Sequence, residues 1–299
     1  MHKYHMNLSV TFLVVTVFLM SASAAEFWAP IQPIYTNTPP GAVFAQVKKA
    51  VDRNTTLFQD NTGKDMLVRV IGVDFPYEAE ETLDQVNSNA QMLSQTAWVI
   101  PKAEVPYTGS TQENMEPSQS AVRPAPGGWL TDKSVNNVLS YGYVYSKDQA
   151  SGQYVATNFV AVAAGMAYML KPKHWPGDAG NTDMRMVQAM MMGVDDAVNR
   201  RTGLYAMLNN PKSVAYVSIA QLYNNFDDYY LPENSINDFK GMFQRLIDSG
   251  QMELDTSGKA ILPPDIRYPA AVKTLLPGLL SVLPGMDSPT VKASIPVIK

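Results

Sequence analysis

The sequence predicts a mainly α protein: a soluble helical bundle with a small N-terminal β-containing region and extended proline-rich arms. Three observations predict it. Several stretches beyond residue 131 carry apolar residues at helical spacing. The run 154–170 is apolar on nearly every side, as a helix buried from all sides would be. Prolines concentrate at 26–41, 101–128 and 261–299, outside those stretches.

Residues 1–25 read as a secretory signal peptide. Lys3, His2 and His5 make a basic start, residues 8–20 an apolar run, and Ala22-Ser23-Ala24 a small-residue cleavage site. The apolar run is shorter than the roughly 17–25 residues of a membrane span, so cleavage is expected before Ala25 or Glu26. No cysteine stands there to carry a lipoprotein anchor. The chain is therefore expected in the periplasm or secreted beyond it.

Composition then narrows the chemistry. The 299 residues include no cysteine, which excludes a disulfide framework and a thiolate metal site. The formal charge is −4, and −5 once Lys3 leaves with the leader. Without a basic cluster, no nucleic-acid partner is expected.

Taken in order, the mature chain begins with an N-terminal arm and small α/β region, 26–100. Residues 26–41 hold four prolines and read as an extended arm. FAQVKKAV (44–51) reads as a short helix. Residues 56–75 form two β-rich runs around a polar turn, Asp60 to Lys64, which predicts a hairpin. Leu83, Val86, Ala90, Leu93 and Ala97 then share one helical face behind an acidic first turn, where the helix dipole favours Glu78, Glu80 and Glu81. Residues 101–128 contain five prolines and read as a flexible linker.

A helical domain is expected over 129–250, with elements at 131–145, 148–171, 183–209, 212–228 and 235–249. Within 154–170, Val155, Phe159, Val162, Met166 and Leu170 make a bulky ridge. Thr157, Ala161 and Gly165 make a small one, where a second helix backbone can approach closely. At about 1.5 Å per residue the run falls short of a hydrocarbon core of about 30 Å, so no stable membrane span is expected after leader cleavage. Ile236, Phe239, Phe243 and Leu246 share a face of the last helix, which Gly250 closes. Beyond it lies an apolar tail, 251–299, whose seven prolines forbid a long regular helix. Such a tail packs on its own domain or on a neighbour, and Leu275 and Leu279 are its candidate partner-binding residues.

Signatures of catalysis are scarce. His174 is the one histidine left after the leader and there is no cysteine, so a histidine-rich zinc site and a Cys–His pair are not available, and no cofactor is expected. The pairs Asp195-Asp196 and Asp227-Asp228 are adjacent on predicted helices, and adjacent helical residues do not face each other. Methionines crowd residues 184–192, which marks core packing or an adaptable binding face; Met186, Met190 and Met191 are candidates for the latter. Tyr229 and Tyr230 lie in an aromatic, acidic patch that reads equally as an interface rim or a helix corner.

LSYGYVYSKDQ, YVATNFVAVAAG and VDDAVNRRTGLYAMLNN together resemble the conserved part of the IcmX-like proteins of type IVB (Dot/Icm) secretion systems, over roughly 131–230. The same stretches are somewhat similar to soluble parts of the associated DotA/TraY proteins. The resemblance implies an exported, non-enzymatic component and carries over no catalytic residue. The leading expectation is thus a periplasmic helical subunit of a type IV secretion or conjugation system that self-associates and binds other secretion-system proteins. The alternatives are a periplasmic cell-wall hydrolase using a carboxylate, recognisable by a groove lined with paired acids, and a soluble chaperone or pilus-like subunit.

Overall fold

Strands, not helices, make up the described elements before residue 150. In a computed structural model, which describes residues 30–50, 54–76, 78–79, 95–106, 138–262 and 266–267, the extended elements are β1 (Ile34–Tyr35), β2 (Val43–Ala50), β3 (Thr55–Asp60), β4 (Asp65–Val70), β5 (Val73–Asp74), β6 (Glu78–Ala79), β7 (Thr96–Pro106), β8 (Val138–Lys147), β9 (Tyr154–Ala156), β10 (Tyr168–Met169) and β11 (Ile266–Arg267). The described helices are α1 (Thr157–Ala163), α2 (Ala179–Thr182), α3 (Met184–Arg200), α4 (Tyr216–Asn224) and α5 (Ile236–Asp248).

Five strands close a barrel in the order β2-β3-β4-β8-β7, with β7 returning to β2. Every neighbouring pair is antiparallel except β4 and β8, which run parallel from Leu67 opposite Leu139 to Val70 opposite Gly142. One parallel pair in a five-strand Greek-key closure is the connectivity of an OB-type barrel. That topology serves many unrelated functions and by itself assigns none.

The registers fix which side chains point inward. Val47 faces Phe58 and Val43 faces Val99, so these positions and their alternates fill the barrel. Gly142 sits where β7 bulges between Pro101 and Ala103; a Cβ there would stand 2.9 Å from the Ile100 carbonyl oxygen.

Outside the barrel, Tyr141, Tyr143 and Tyr145 of β8 are covered. The N-terminal arm covers part of this face: Ile31 is buried, Tyr145 donates to the Gln32 carbonyl at 2.8 Å, and Tyr35 packs edge-on to Tyr145 at 5.5 Å. The helices cover the rest. Asp183, just before α3, accepts from the Tyr143 hydroxyl at 2.9 Å and from Lys102 Nζ at 3.1 Å. Both tyrosine hydroxyls are pushed up, first by burial and then by neighbouring acidic or phenolic groups.

The stretch 154–170 is buried as expected but is not one long helix. It is β9, the seven-residue α1, a turn at Gly165 and β10. All seven residues of α1 are buried, and Gly193 of α3 lies against Ala163. Gly165 has φ +66°, and a Cβ on it would stand well inside 3.0 Å of the Thr202 carbonyl oxygen. Among the described residues, no helix is long and apolar enough to cross a membrane.

The expectation of a mainly α bundle is therefore corrected to a mixed α/β fold with a closed barrel. Residues 44–50 are strand, and so are 138–145 of the helix expected at 131–145. Of the helix expected to run through Ala97, residues 80–94 lie outside the described residues and Ala97 belongs to β7. Of the stretch 101–128, read as a linker, residues 101–106 are the end of β7 and pair along β8, and 107–128 lie outside the described residues. The helices expected at 183–209, 212–228 and 235–249 shorten to α3, α4 and α5, with 3₁₀ turns at Gly203–Leu208 and Pro211–Ser213.

Candidate functional site

The open end of the barrel is set by the hairpin between β3 and β4. Asp60 Oδ1 accepts from Thr62 N at 2.8 Å, Thr62 Oγ1 at 2.6 Å and Lys64 N at 2.9 Å, while Gly63 takes φ +86°. These donors, the Thr62 hydroxyl foremost, hold the Asp60 carboxyl below the usual carboxylate range. Asp65 accepts from Gln59 Nε2 at 3.0 Å. Across the barrel, the β7 bulge shifts the alternation, so that Pro101 and then Glu104 face the opening, Glu104 opposite Ser140.

The result is a cavity of about 250 Å³. Val43, Met66, Val68, Val99, Pro101 and Val138 give it apolar walls, and Asp60, Asp65 and Glu104 outnumber Lys64 among its charged groups. It suits an aliphatic group that carries or adjoins a cation. Among the described residues, no three histidine, aspartate or glutamate side chains converge closely enough to hold a metal ion.

The residues singled out in the sequence lie elsewhere. Thr157 and Ala161 are buried in α1, with Thr157 Oγ1 donating to the Val144 carbonyl at 3.0 Å; Gly165 meets the loop after α3. Met186 and Met190 are fully buried core residues, which removes them from any binding face, and Met191 is half-buried. The exposed methionines of α3 are Met184 and Met192. Tyr229 is buried as well, and Tyr230 is half-buried with its hydroxyl 3.0 Å from Asp195 Oδ1. Leu275 and Leu279 lie outside the described residues.

The acid pairs do not form dyads. Asp195 binds Tyr230, whereas Asp196 pairs with Arg200 one turn on. Burial pushes the Asp195 carboxyl up, against the Tyr230 hydrogen bond, and burial with the Asp195 charge pushes the Tyr230 hydroxyl up to about 12. Asp227 accepts from Lys171 through its carbonyl, and Asp228 Oδ1 lies 3.1 Å from His174 Nε2.

Sequence reasoning missed a buried polar cluster where barrel and helices meet. Asp74 is fully buried and accepts from Asn54 Nδ2 at 2.9 Å, from Gln221 Nε2 at 3.0 Å and from the Tyr229 hydroxyl. Tyr229 stacks on Tyr168 with centroids 4.8 Å apart. The one visible signal is an aspartate closing the apolar run VIGVDF. With its donors in place, this cluster acts as a joint between layers.

No family model matches the chain, and no curated protein matches it significantly.

Proposed function

We propose that the chain is an exported, non-enzymatic component of a bacterial type IV secretion or conjugation machine, and that it works by protein–protein contact. The barrel mouth carries the reading: a small apolar cavity with an acidic rim suits a side chain presented by another protein. The resemblance to IcmX-like proteins supplies the kind of machine. Its residues run from β8 through α4, the elements that join the barrel to the helices. Partners on this reading are further copies of the chain and other secretion-system proteins.

The test is a strain lacking the gene, complemented with the wild-type chain or with Glu104→Lys. Substrate transfer is expected to return with the first and to stay reduced with the second, while the thermal midpoint of purified Glu104→Lys is unchanged. Normal transfer by the strain lacking the gene overturns the proposal.

One observation favours the hydrolase reading: Asp60, Asp65 and Glu104 all line the same cavity. Carboxylate hydrolysis requires an acid whose pKa is raised, however, and Asp60 is held low. Release of soluble fragments from purified cell wall, abolished by Glu104→Gln, would establish that second reading.

A further inference from the structure

We propose that the mouth of the barrel receives residues 268–299 of a neighbouring copy of the chain. The inference rests on the assembly reading above and names the partner of that cavity. Charge is the first argument. Three acidic residues and one lysine line the mouth, and the segment carries Lys273, Lys292 and Lys299 against Asp287. Opposite signs steer the two together and exclude like-charged competitors.

Side-chain character is the second argument. The segment repeats one short pattern, a proline followed within a few residues by a β-branched aliphatic and a lysine: Pro269 to Val272-Lys273, Pro289 to Val291-Lys292, and Pro296 to Ile298-Lys299. A cavity of about 250 Å³ with apolar walls has room for the aliphatic side chain. The lysine that follows it then reaches the carboxylates of the rim. Three copies of the pattern give three chances of engagement along one segment.

Position is the third argument. The mouth is at the Asp65 end of β4, while the segment starts just past β11, whose Ile266 and Arg267 pair with β6, reached from the Val70 end of β4. Six residues of strand separate the two ends by about 20 Å. A donor at one end of the barrel and a receptor at the other make a heterologous, head-to-tail contact, which closes into a ring or grows as a filament.

The absence of cysteine makes the experiment clean. Full-length mature Ser140→Cys and Val291→Cys proteins, carrying different tags, are mixed under mild oxidation, with Val138→Cys as a second wall position. Mixed disulfides are expected from both wall positions, well above those of an exposed control, Ser257→Cys. Adding Glu104→Lys to the wall variant should slow the crosslink about threefold or more, and adding Lys292→Glu to the segment variant should restore it. Two results overturn the proposal: no mixed crosslink above the control, or, in the double variant Ser140→Cys/Val291→Cys, a crosslink only within one chain. The two proposals fail separately. Absent crosslinks with transfer still dependent on the gene sink only this inference; crosslinks with transfer independent of the gene sink only the secretion reading.

Discussion

Gly165→Ala tests the packing of α1 against the loop after α3. The substitution meets two penalties. The backbone at 165 has φ +66°, a conformation that costs an L-residue roughly 1–2 kcal/mol. The added Cβ would also crowd the Thr202 carbonyl, and overpacking of this kind costs about 1–3 kcal/mol. Relief is hard to find, because Gly203 packs back against the Gly165 carbonyl, which accepts from Leu204 N at 2.7 Å. A combined loss of about 3 kcal/mol lowers the midpoint by about 6–12 °C in a chain of this size. Gly152→Ala is the control: its φ is +73°, but nothing lies within 4 Å of its Cβ position, so it meets the backbone penalty alone. Thermal unfolding followed by far-UV circular dichroism should place Gly165→Ala clearly below Gly152→Ala. Equal midpoints for the two variants would refute the close approach.

Other outcomes follow from the joint between layers, the partly buried acid and the leader. Tyr229→Phe removes one donor from the buried Asp74 carboxylate and should cost about 1.5–3 kcal/mol in urea unfolding with an unchanged slope. Asp195 has a folded-state pKa raised by burial, so its stabilising contribution is present below its unfolded value and lost as pH rises through the folded one. Asp195→Asn should therefore unfold at a higher temperature than wild type at neutral pH, and the two curves should converge below the carboxylate range. N-terminal sequencing of exported material should begin at Ala25 or Glu26; a retained leader would remove the basis for the periplasmic reading.

Parts of this fold were legible in the sequence because their signals are local. The Asp60–Lys64 hairpin follows from turn residues that satisfy one another, and the same pattern recurs at 255–259. There Asp255 Oδ1 accepts from Ser257 N, Ser257 Oγ and Lys259 N, beside Gly258 at φ +80°. The buried face of α5, with Phe239, Phe243 and Leu246, was readable at helical spacing. β8 was not, because residues 141–145 are buried on both faces, inside the barrel and under the helices, so no polar alternation marks a strand. β7 was hidden by Pro101 and Pro106, which read as loop; Pro101 is tolerated at the bulge. The mouth was invisible for a different reason. Its acids come from separate strands, and Glu104 faces the opening only because the bulge shifts the alternation.

The single parallel pair has a consequence for how the chain comes together. β8 is the last barrel strand in the sequence, and it closes the barrel by joining β4 on one side and β7 on the other. A chain made from its N-terminus must therefore hold β4 and β7 with open edges until residue 147 is available. Open edges of that kind are templates for pairing with other chains, and contacts so distant in sequence form slowly. The earlier barrel strands thus depend on a strand that arrives late and leads, through β9, into α1. The closing strand of the barrel and the first described helix come from one stretch of chain.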